Sequence, residues 1–288
     1  MSYLLRTLTL ADTSAVVPVL DAAYGRSSVF ESRFRMHQSI EPDGWVGAHD
    51  ASGMIGVGGF VSFGACAYIG LMAVRPDAQR RGVGDAVFRE ILRRCDALGR
   101  RLLLLDASAA GAPLYERHGF EDRGVALGYT IDRRVVNELP GSPSVTVEPF
   151  DGQGSSADDV AKLDARCYGA DRGALVRALL RELPGRAFVA RDRATGEMVG
   201  YSVGQSRSFG PCMATSTDAA RALLRRTLTL PYEGEVTWLV AGQSSAARAL
   251  AERVGGSPTR TLRHMRRGAA LLESDWSSLF AKASLAVG

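Results

Sequence analysis

The chain has 288 residues, of which 46% are hydrophobic and 23% charged, as in ordinary globular proteins. This length is enough for two domains with separate cores. No apolar run approaches the ~18 residues that cross a bilayer, and Met1–Thr13 lacks the basic start and long apolar stretch of a signal peptide. We therefore predict a cytoplasmic protein with no membrane partner.

The formal net charge is +4, from 35 basic and 31 acidic residues. Acidic residues are interleaved with the arginines, so no basic tract of the kind that binds nucleic acid is present, and no nucleic-acid partner is predicted. The cysteines have no C-x-x-C pair and no histidine at metal-ligand spacing; they are Cys66, Cys95, Cys167 and Cys212. We predict reduced, mostly buried thiols, with neither a disulfide framework nor a metal site.

The pattern of the first half indicates alternating strands and helices. In chain order the predicted elements are a strand at Tyr3–Leu8, helices at Ala11–Tyr24 and Val29–Ser39, strands at Trp45–His49, Met54–Ser62 and Cys66–Val74, a long helix at Gly82–Leu98, a strand at Leu102–Asp106, a short helix at Pro113–Arg117 and a closing strand at Val125–Ile131. This order predicts an α/β fold in which helices cover a mixed sheet.

The second half repeats this order. The hairpin pattern of Trp45–Gly56 recurs at Phe188–Gly200, and the strand and helix pattern of Leu102–Phe120 recurs at Thr237–Gly256. Residues 137–144, between the halves, contain two prolines and a glycine and show no periodicity, which is typical of a linker. We therefore predict a duplicated fold with domains at residues 1–136 and 145–288, each a mixed twisted β-sheet flanked by helices.

The most informative stretch joins the strand Cys66–Val74 to the helix that follows it. A turn of arginines and glycines, Gln79–Gly84, opens this helix. The first turn of a helix has unpaired N–H groups and a partial positive charge, so it binds anions such as a pyrophosphate. Gly82 and Gly84 permit close approach of the backbone because they have no Cβ. The P-loop motif is absent, and Val87 stands where a Rossmann motif would need its third glycine.

This stretch resembles the signature of the GNAT superfamily of N-acetyltransferases, which is a strand ending in A-V-x-P, then [QR]-x-x-G-x-[GA], then a helix. Ala73–Pro76 and Gln79–Gly84 match every defined position, and Leu114–Phe120 is similar to the family's L-Y-E-x-x-G-F ending. The resemblance covers about residues 1–135. It implies a GNAT-like fold for both halves and transfer of an acetyl group from acetyl-CoA to an amine.

The resemblance also implies roles for particular residues. The pyrophosphate is expected on the backbone amides of Arg80–Asp85, and the pantetheine arm on the edge of the preceding strand. Tyr115 matches the tyrosine that often protonates the departing thiolate, whereas Ser108 replaces the family's longer asparagine. The implied cofactor-binding residues are Met72, Ala73, Val74, Gln79, Arg80, Arg81, Gly82, Val83, Gly84, Asp85 and Ser108.

Attack on a thioester needs a neutral amine, so a carboxylate, a histidine or a water chain must remove a proton. The candidate bases are Glu31, His37, Tyr68 and Asp106. The sequence does not rank them. Glu31 and His37 are explained at least as well as members of a solvated helix face. Asp106 follows an apolar strand, where binding a cationic amine and capping the next helix are equally good roles.

The second half repeats the architecture without this chemistry. Its turn corresponding to the phosphate loop is predicted to hold Pro211–Met213, and Ala251 stands where Tyr115 does in the first half. We therefore predict one acetyl-CoA per chain, bound by the first half. The degenerate second domain is expected to shape the substrate pocket or to pair subunits as a homodimer, and the short amphipathic tail Leu271–Phe280 to dock on the body.

These observations favour an N-acetyltransferase that uses acetyl-CoA, without a metal, to modify a small-molecule amine. One alternative is acetylation of a peptide or protein amine, and another is a non-catalytic acyl-CoA-binding sensor. The intact loop and Tyr115 favour catalysis over sensing. The acceptor pocket is expected to involve the variable segment Tyr24–Ile40.

Overall fold

The structure is a computed structural model that describes residues 2–25, 28–151, 155–270 and 272–288. Its first half comprises β1 (Leu4–Thr7), α1 (Thr13–Tyr24), α2 (Val29–Ile40), β2 (Trp45–Asp50), β3 (Gly53–Phe63), β4 (Cys66–Val74), α3 (Val83–Ala97), β5 (Leu102–Ala107), α4 (Ala112–Arg117), β6 (Glu121–Thr130) and α5 (Arg133–Glu138). Every strand and helix predicted for this half is present, with bounds that differ by a few residues. The linker predicted at residues 137–144 begins inside α5.

The second half repeats the order of elements from β1 to β6. It comprises β7 (Val145–Phe150), α6 (Ser155–Tyr168), α7 (Gly173–Glu182), β8 (Ala187–Asp192), β9 (Met198–Gly204), β10 (Ser208–Ala214), α8 (Thr217–Thr227), β11 (Thr237–Ala241), α9 (Ser245–Gly255), β12 (Arg260–Arg267) and, beyond the repeat, β13 (Leu279–Ala281). The mixed α/β architecture and the internal repeat agree with the predicted fold class.

The two halves share one continuous sheet. Within the described chain its strands follow the order β1-β2-β3-β4-β5-β12-β6-β11-β10-β9-β8-β7, and β13 pairs with β10. Strand β12 of the second half lies between β5 and β6 of the first, and β6 pairs in turn with β11. The sixth strand of each half, β6 or β12, therefore pairs with strands of the other half. The domain bounds predicted at residues 136 and 145 divide the chain by sequence position, and they stay predictions.

Helices α3 and α8 occupy equivalent places and bury one apolar stripe each, as the helical period requires. The buried residues of α3 are Val83, Val87, Phe88, Ile91, Leu92 and Cys95. This packing fixes the start of α3 beside the end of β4. The four cysteines are free and buried, as predicted.

No helix within the described parts of the chain has the length and apolar character needed to cross a membrane.

Candidate active site

Strand β4 is irregular where the cofactor arm is expected. Its register with β3 shifts, and Leu71 adopts a positive φ of 52°. Its parallel pairing with β5 ends at Tyr68 and Leu104, so no described strand pairs with the last part of that edge. A bulge beside separating strands redirects the backbone and opens a gap in the sheet. The predicted contacts Met72–Val74 lie along this open edge.

The turn before α3 presents backbone amides. Arg80 and Gly82 both adopt positive φ values, 60° and 79°. The amide of Ala86 donates to the carbonyl of Gly82 at 3.0 Å. The amides of Val83–Asp85 precede that bond, so they are the unpaired donors of the first turn, and successive amides of this kind form an anion-binding concavity. A Cβ built on Gly82 would meet only Tyr3 Oη within 4 Å, at 3.8 Å, so the space beside the turn is open.

The side chains of this turn tie it to its surroundings and leave one cation uncommitted. Gln79 Nε2 donates to the carbonyl of Val74 at 3.2 Å. Arg81 forms an ion pair with Asp50 at 3.2 Å. Arg80 is exposed and has no ion pair within the described chain. It therefore adds positive charge next to the open amides.

Tyr115 is held rigidly on α4. Its ring packs on Phe88 and Phe120 with centroid distances of 5.0 and 6.3 Å. His118 Nε2 lies 2.8 Å from a carboxylate oxygen of Asp85, which links α4 to α3. Burial raises the pKa of Tyr115 above its ordinary value, so its hydroxyl keeps its proton at neutral pH.

A cavity of about 320 Å³ lies between the open edge of β4, α4 and α2. This volume is within the range of small-molecule sites, roughly 300–1,000 Å³. Met72, Ser108 and Tyr115 all line it, so the structure brings these three predicted residues together. The remaining predicted residues follow along the strand end and the turn, outside the cavity wall.

Several cavity residues were not singled out from the sequence. Within the expected segment Tyr24–Ile40, the wall includes Tyr24, Val29, Phe30 and Arg33, and from the second half it includes Arg260, Leu262, Leu285 and Ala286. Strand exchange brings the β12 residues here. Ala286 packs directly on Gly70, where a Cβ would lie 2.5 Å from the Ala286 Cα. In a sequence, a glycine inside a strand indicates that another part of the chain approaches closely, but it does not identify which part.

Of the four candidate bases, Asp106 lines the cavity and the others do not. Glu31 is exposed and pairs with Arg35 at 3.1 Å, as a solvated helix face predicts. The same expectation is wrong for His37, which is 1% exposed and stacks on Trp45 with ring centroids 5.8 Å apart. Burial, with a nearby arginine charge, lowers the pKa of His37 to about 3, so it is a neutral core residue.

Asp106 is the centre of a buried polar network that joins the two halves. Lys282 Nζ donates to Asp106 Oδ2 at 2.5 Å and to Tyr68 Oη at 2.9 Å, and His264 Nδ1 lies 2.9 Å from Asp106 Oδ1. Burial acts to raise the pKa of Asp106, but the Lys282 charge and the His264 contact outweigh it, and the pKa falls to about 2. The carboxylate does not cap α4, which has no side-chain cap, and it offers no uncompensated charge to a cationic amine.

The second half has no equivalent of the phosphate turn. Residues 215 and 216 alone separate β10 from α8, whereas residues 75–82 separate β4 from α3. The prediction that Pro211–Met213 forms this turn was wrong, because these residues lie within β10. The register of β10 with β9 shifts there, and an irregular register accommodates a proline within a sheet. Ser216 Oγ accepts the amide of Ala219 at 3.1 Å, so the start of α8 is already capped.

In the second half, strand β13 fills the gap in the sheet that is open in the first half. Strands β10 and β11 pair over two positions, and β13 then pairs with β10. The amide of Lys282 donates to the carbonyl of Leu239 at 2.9 Å, and Trp238 Nε1 donates to the carbonyl of Phe280 at 2.8 Å. The predicted tail Leu271–Phe280, whose first residue lies outside the described residues, therefore docks on the body.

Comparisons with known proteins agree with this geometry. Two family models described as acetyltransferase (GNAT) domains match residues 42–122 and residues 160–281, together more than half of the chain. No curated protein matches the sequence.

Solved structures resemble the whole chain. A protein assigned as an acetyltransferase, from Pyrococcus horikoshii, is 24% identical, with a TM-score of 0.86 over 99% of this chain and 96% of its own. A tandem GNAT protein from the clavulanic acid biosynthesis pathway is 16% identical, with a TM-score of 0.65 over 94% and 99% of the two chains. A GCN5-related N-acetyltransferase from Sphaerobacter thermophilus is 15% identical, with a TM-score of 0.66 over 93% and 98%. At these identities the likeness is one of fold.

Proposed function

Because the chain belongs to the GNAT acetyltransferase family, as a tandem of two such domains, we propose that it transfers an acetyl group from acetyl-CoA to the amine of a small molecule. Membership of the family supports acyl transfer in general, and its members typically use acetyl-CoA. The observation that carries the finer proposal is the cavity, which connects the open edge of β4 to the hydroxyl-bearing side chains of Ser108 and Tyr115.

The residues of the first half fit acetyl-CoA. The amides of Val83–Asp85, with Arg80 beside them, would hold the pyrophosphate. The open edge at Met72–Val74 would hold the pantetheine arm. The Tyr24 hydroxyl donates to the carbonyl of Met72, so the arm would take the place of this hydroxyl. When bound, acetyl-CoA supplies an acetyl group activated as a thioester.

The proposed transfer makes one bond and breaks one. The neutral amine nitrogen forms a bond to the acetyl carbon, and the carbon–sulfur bond breaks. The nitrogen loses one proton, and the sulfur gains one. Tyr115 is protonated at neutral pH and lines the cavity, so we assign it the donation to sulfur, with a proton regained from water. Asp106 takes up a proton poorly because its pKa is about 2, so the proton from nitrogen passes to water in the cavity.

An amine panel tests the function directly. Purified protein is mixed with acetyl-CoA and small amines, amino acids, polyamines or peptides, and free thiol release is followed. We expect turnover with one class of small amine. Turnover confined to peptides would favour the peptide alternative, and silence on all acceptors by a protein that still binds acetyl-CoA would favour a sensor.

Alanine substitutions at the phosphate turn are expected to weaken acetyl-CoA binding. A Cβ at Gly84 would lie 3.4 Å from the nearest Val74 carbon, an ordinary contact, so Gly84→Ala fits the protein itself. Gly82→Ala adds a side chain at a positive φ of 79°. We expect each affinity to fall about tenfold or more, since a hydrogen bond to a charged group contributes about 1.5–3 kcal/mol. Calorimetric titration with acetyl-CoA measures this.

Gly99→Ala is the matched control for Gly82→Ala. Gly99 has a positive φ of 68° and open space around its Cβ position, but it follows the far end of α3. Gly99→Ala therefore introduces the same kind of backbone strain without contacting the phosphate turn. Unchanged affinity in folded Gly84→Ala and Gly82→Ala proteins would place the phosphate site elsewhere.

One acetyl-CoA is expected to bind per chain. In the second half the helix start is capped by Ser216, and β13 fills the gap between β10 and β11. Neither the pyrophosphate nor the pantetheine arm would find a free place there. Calorimetric titration should saturate at one equivalent, and a Gly82/Gly84 double alanine variant should lose that site. A second equivalent of comparable affinity would contradict our interpretation of the second half.

A further inference from the structure

The cavity wall carries two guanidinium groups without anionic partners. Arg33 of α2 and Arg260 of β12 both line it, and neither has an ion pair or a side-chain hydrogen bond within the described chain. Burial lowers the pKa of Arg33, which shows that this cation is partly removed from water. Arg260 lies near Tyr24, since its charge acts to lower the pKa of the Tyr24 hydroxyl, although burial has the larger and opposite effect. Arg260 is exposed and Arg33 is half-buried, so the unfavourable desolvation of an unpaired charge applies to Arg33, where a ligand anion would relieve it.

The carboxylate in the wall does not balance these charges. Asp106 also lines the cavity, but Lys282 and His264 hold both of its oxygens. Its charge is cancelled by that of Lys282. The cavity therefore has an excess of positive charge, which favours an anionic ligand.

The rest of the wall is largely apolar. Its apolar side chains include Val29, Phe30, Leu71, Leu262 and Leu285. Guanidinium groups bind carboxylates through two parallel hydrogen bonds, and they do so most strongly where water is excluded. The wall is therefore complementary to a molecule with an apolar body and a carboxylate.

We propose that the acceptor is a small amine that also carries a carboxylate, as an amino acid with an apolar side chain does. Arg33 and Arg260 bind the carboxylate, and the amine is left to face the end of the cavity formed by Met72 and Tyr115. This inference rests on the proposed function and names the substrate class of that site. The phosphates of acetyl-CoA are another source of anions, but the turn Arg80–Asp85 is not part of the cavity wall.

Matched acceptors test the inference. Leucine is compared with leucinamide and 3-methylbutylamine, and phenylalanine with phenethylamine, at equal concentrations of neutral amine. We expect kcat/KM for the acids to exceed that for the analogues without a carboxylate by about tenfold to a hundredfold, the range of charge-assisted hydrogen bonds. Arg33→Gln and Arg260→Gln should each remove most of this preference and leave the KM for acetyl-CoA unchanged. Arg260→Lys should retain part of it.

Arg35→Gln is the control for a lost arginine on α2. Arg35 is exposed and pairs with Glu31, so its loss should change neither the preference nor the rates. Equal rates for acids and amides, or an acid preference that survives in both arginine variants, would overturn the inference. Weaker acetyl-CoA binding in the variants would also overturn it, because the arginines would then serve the phosphates of acetyl-CoA.

A binding measurement separates failure of this inference from failure of the proposed function. N-acetyl-leucine and N-acetyl-3-methylbutylamine are titrated into protein saturated with CoA. Tighter binding of the acid, lost in Arg33→Gln, would support carboxylate recognition whatever the turnover. Equal binding would contradict it, and silence on every acceptor would count against the proposed function alone.

Discussion

Replacing Tyr115 by phenylalanine is expected to lower kcat by about ten- to a thousandfold, the usual size of an acid–base contribution. The substitution removes the hydroxyl at the cavity wall and keeps the ring that packs on Phe88 and Phe120. Affinity for acetyl-CoA should stay near normal, because the phosphate turn and the open edge of β4 are untouched. Single-turnover rates and calorimetric affinities measure the two effects separately.

Tyr129→Phe is the matched control. Tyr129 is a fully buried tyrosine of β6, and it does not line the cavity. Removing the Tyr129 hydroxyl should leave kcat unchanged. If Tyr115→Phe turned over at the wild-type rate while chemistry limited that rate, Tyr115 would be a core aromatic residue and the proton donor would be another group.

The parts of the site that the sequence could predict are local. Gln79–Gly84 follows an apolar strand and opens an amphipathic helix, so its backbone amides and its glycine conformation follow from a few neighbouring residues. The role of Tyr115 was predicted from the resemblance of Leu114–Phe120 to the family's motif, which is also a short run of neighbouring residues. Such features depend on the order of residues along a short stretch of chain, so they can be predicted without knowing which strands pair.

The parts that could not be predicted depend on distant pairing. His264 and Lys282 meet Asp106 across 158 and 176 residues of sequence. Hydrophobic periodicity shows that a strand is buried, but it does not identify the neighbouring strand. The exchange of β6 and β12 was therefore invisible in the sequence, and so was the contribution of Arg260 to the cavity.

Lys282→Met is expected to destabilise the protein by about 3–5 kcal/mol, the usual cost of leaving one member of a buried ion pair alone. The side chains of Lys282 and Asp106 are 5% and 0% exposed. Without the ammonium group, Asp106 loses the buried cation that neutralises it and keeps its contact with His264. The double variant Lys282→Met/Asp106→Asn removes both charges and should recover much of the loss. Urea unfolding of the three proteins at neutral pH measures these differences.

The pH dependence of stability distinguishes this ion pair from simple packing of the Lys282 side chain. The pKa of Asp106 is lowered from 3.8 to about 2 in the folded protein, so its ionised form stabilises the fold above about pH 4, and that stability is lost as pH falls toward 2. In Lys282→Met, burial acts to raise the Asp106 pKa without the opposing lysine charge, so the folded-state pKa moves up toward or above that of the unfolded chain. The loss of stability that Asp106 causes between about pH 4 and pH 2 should therefore shrink or reverse. Lys162→Met is the control, since Lys162 pairs with Asp159 at the exposed surface and should cost at most about 1 kcal/mol. Equal losses in the two lysine variants, with unchanged pH profiles, would show that the network around Asp106 does not hold the halves together.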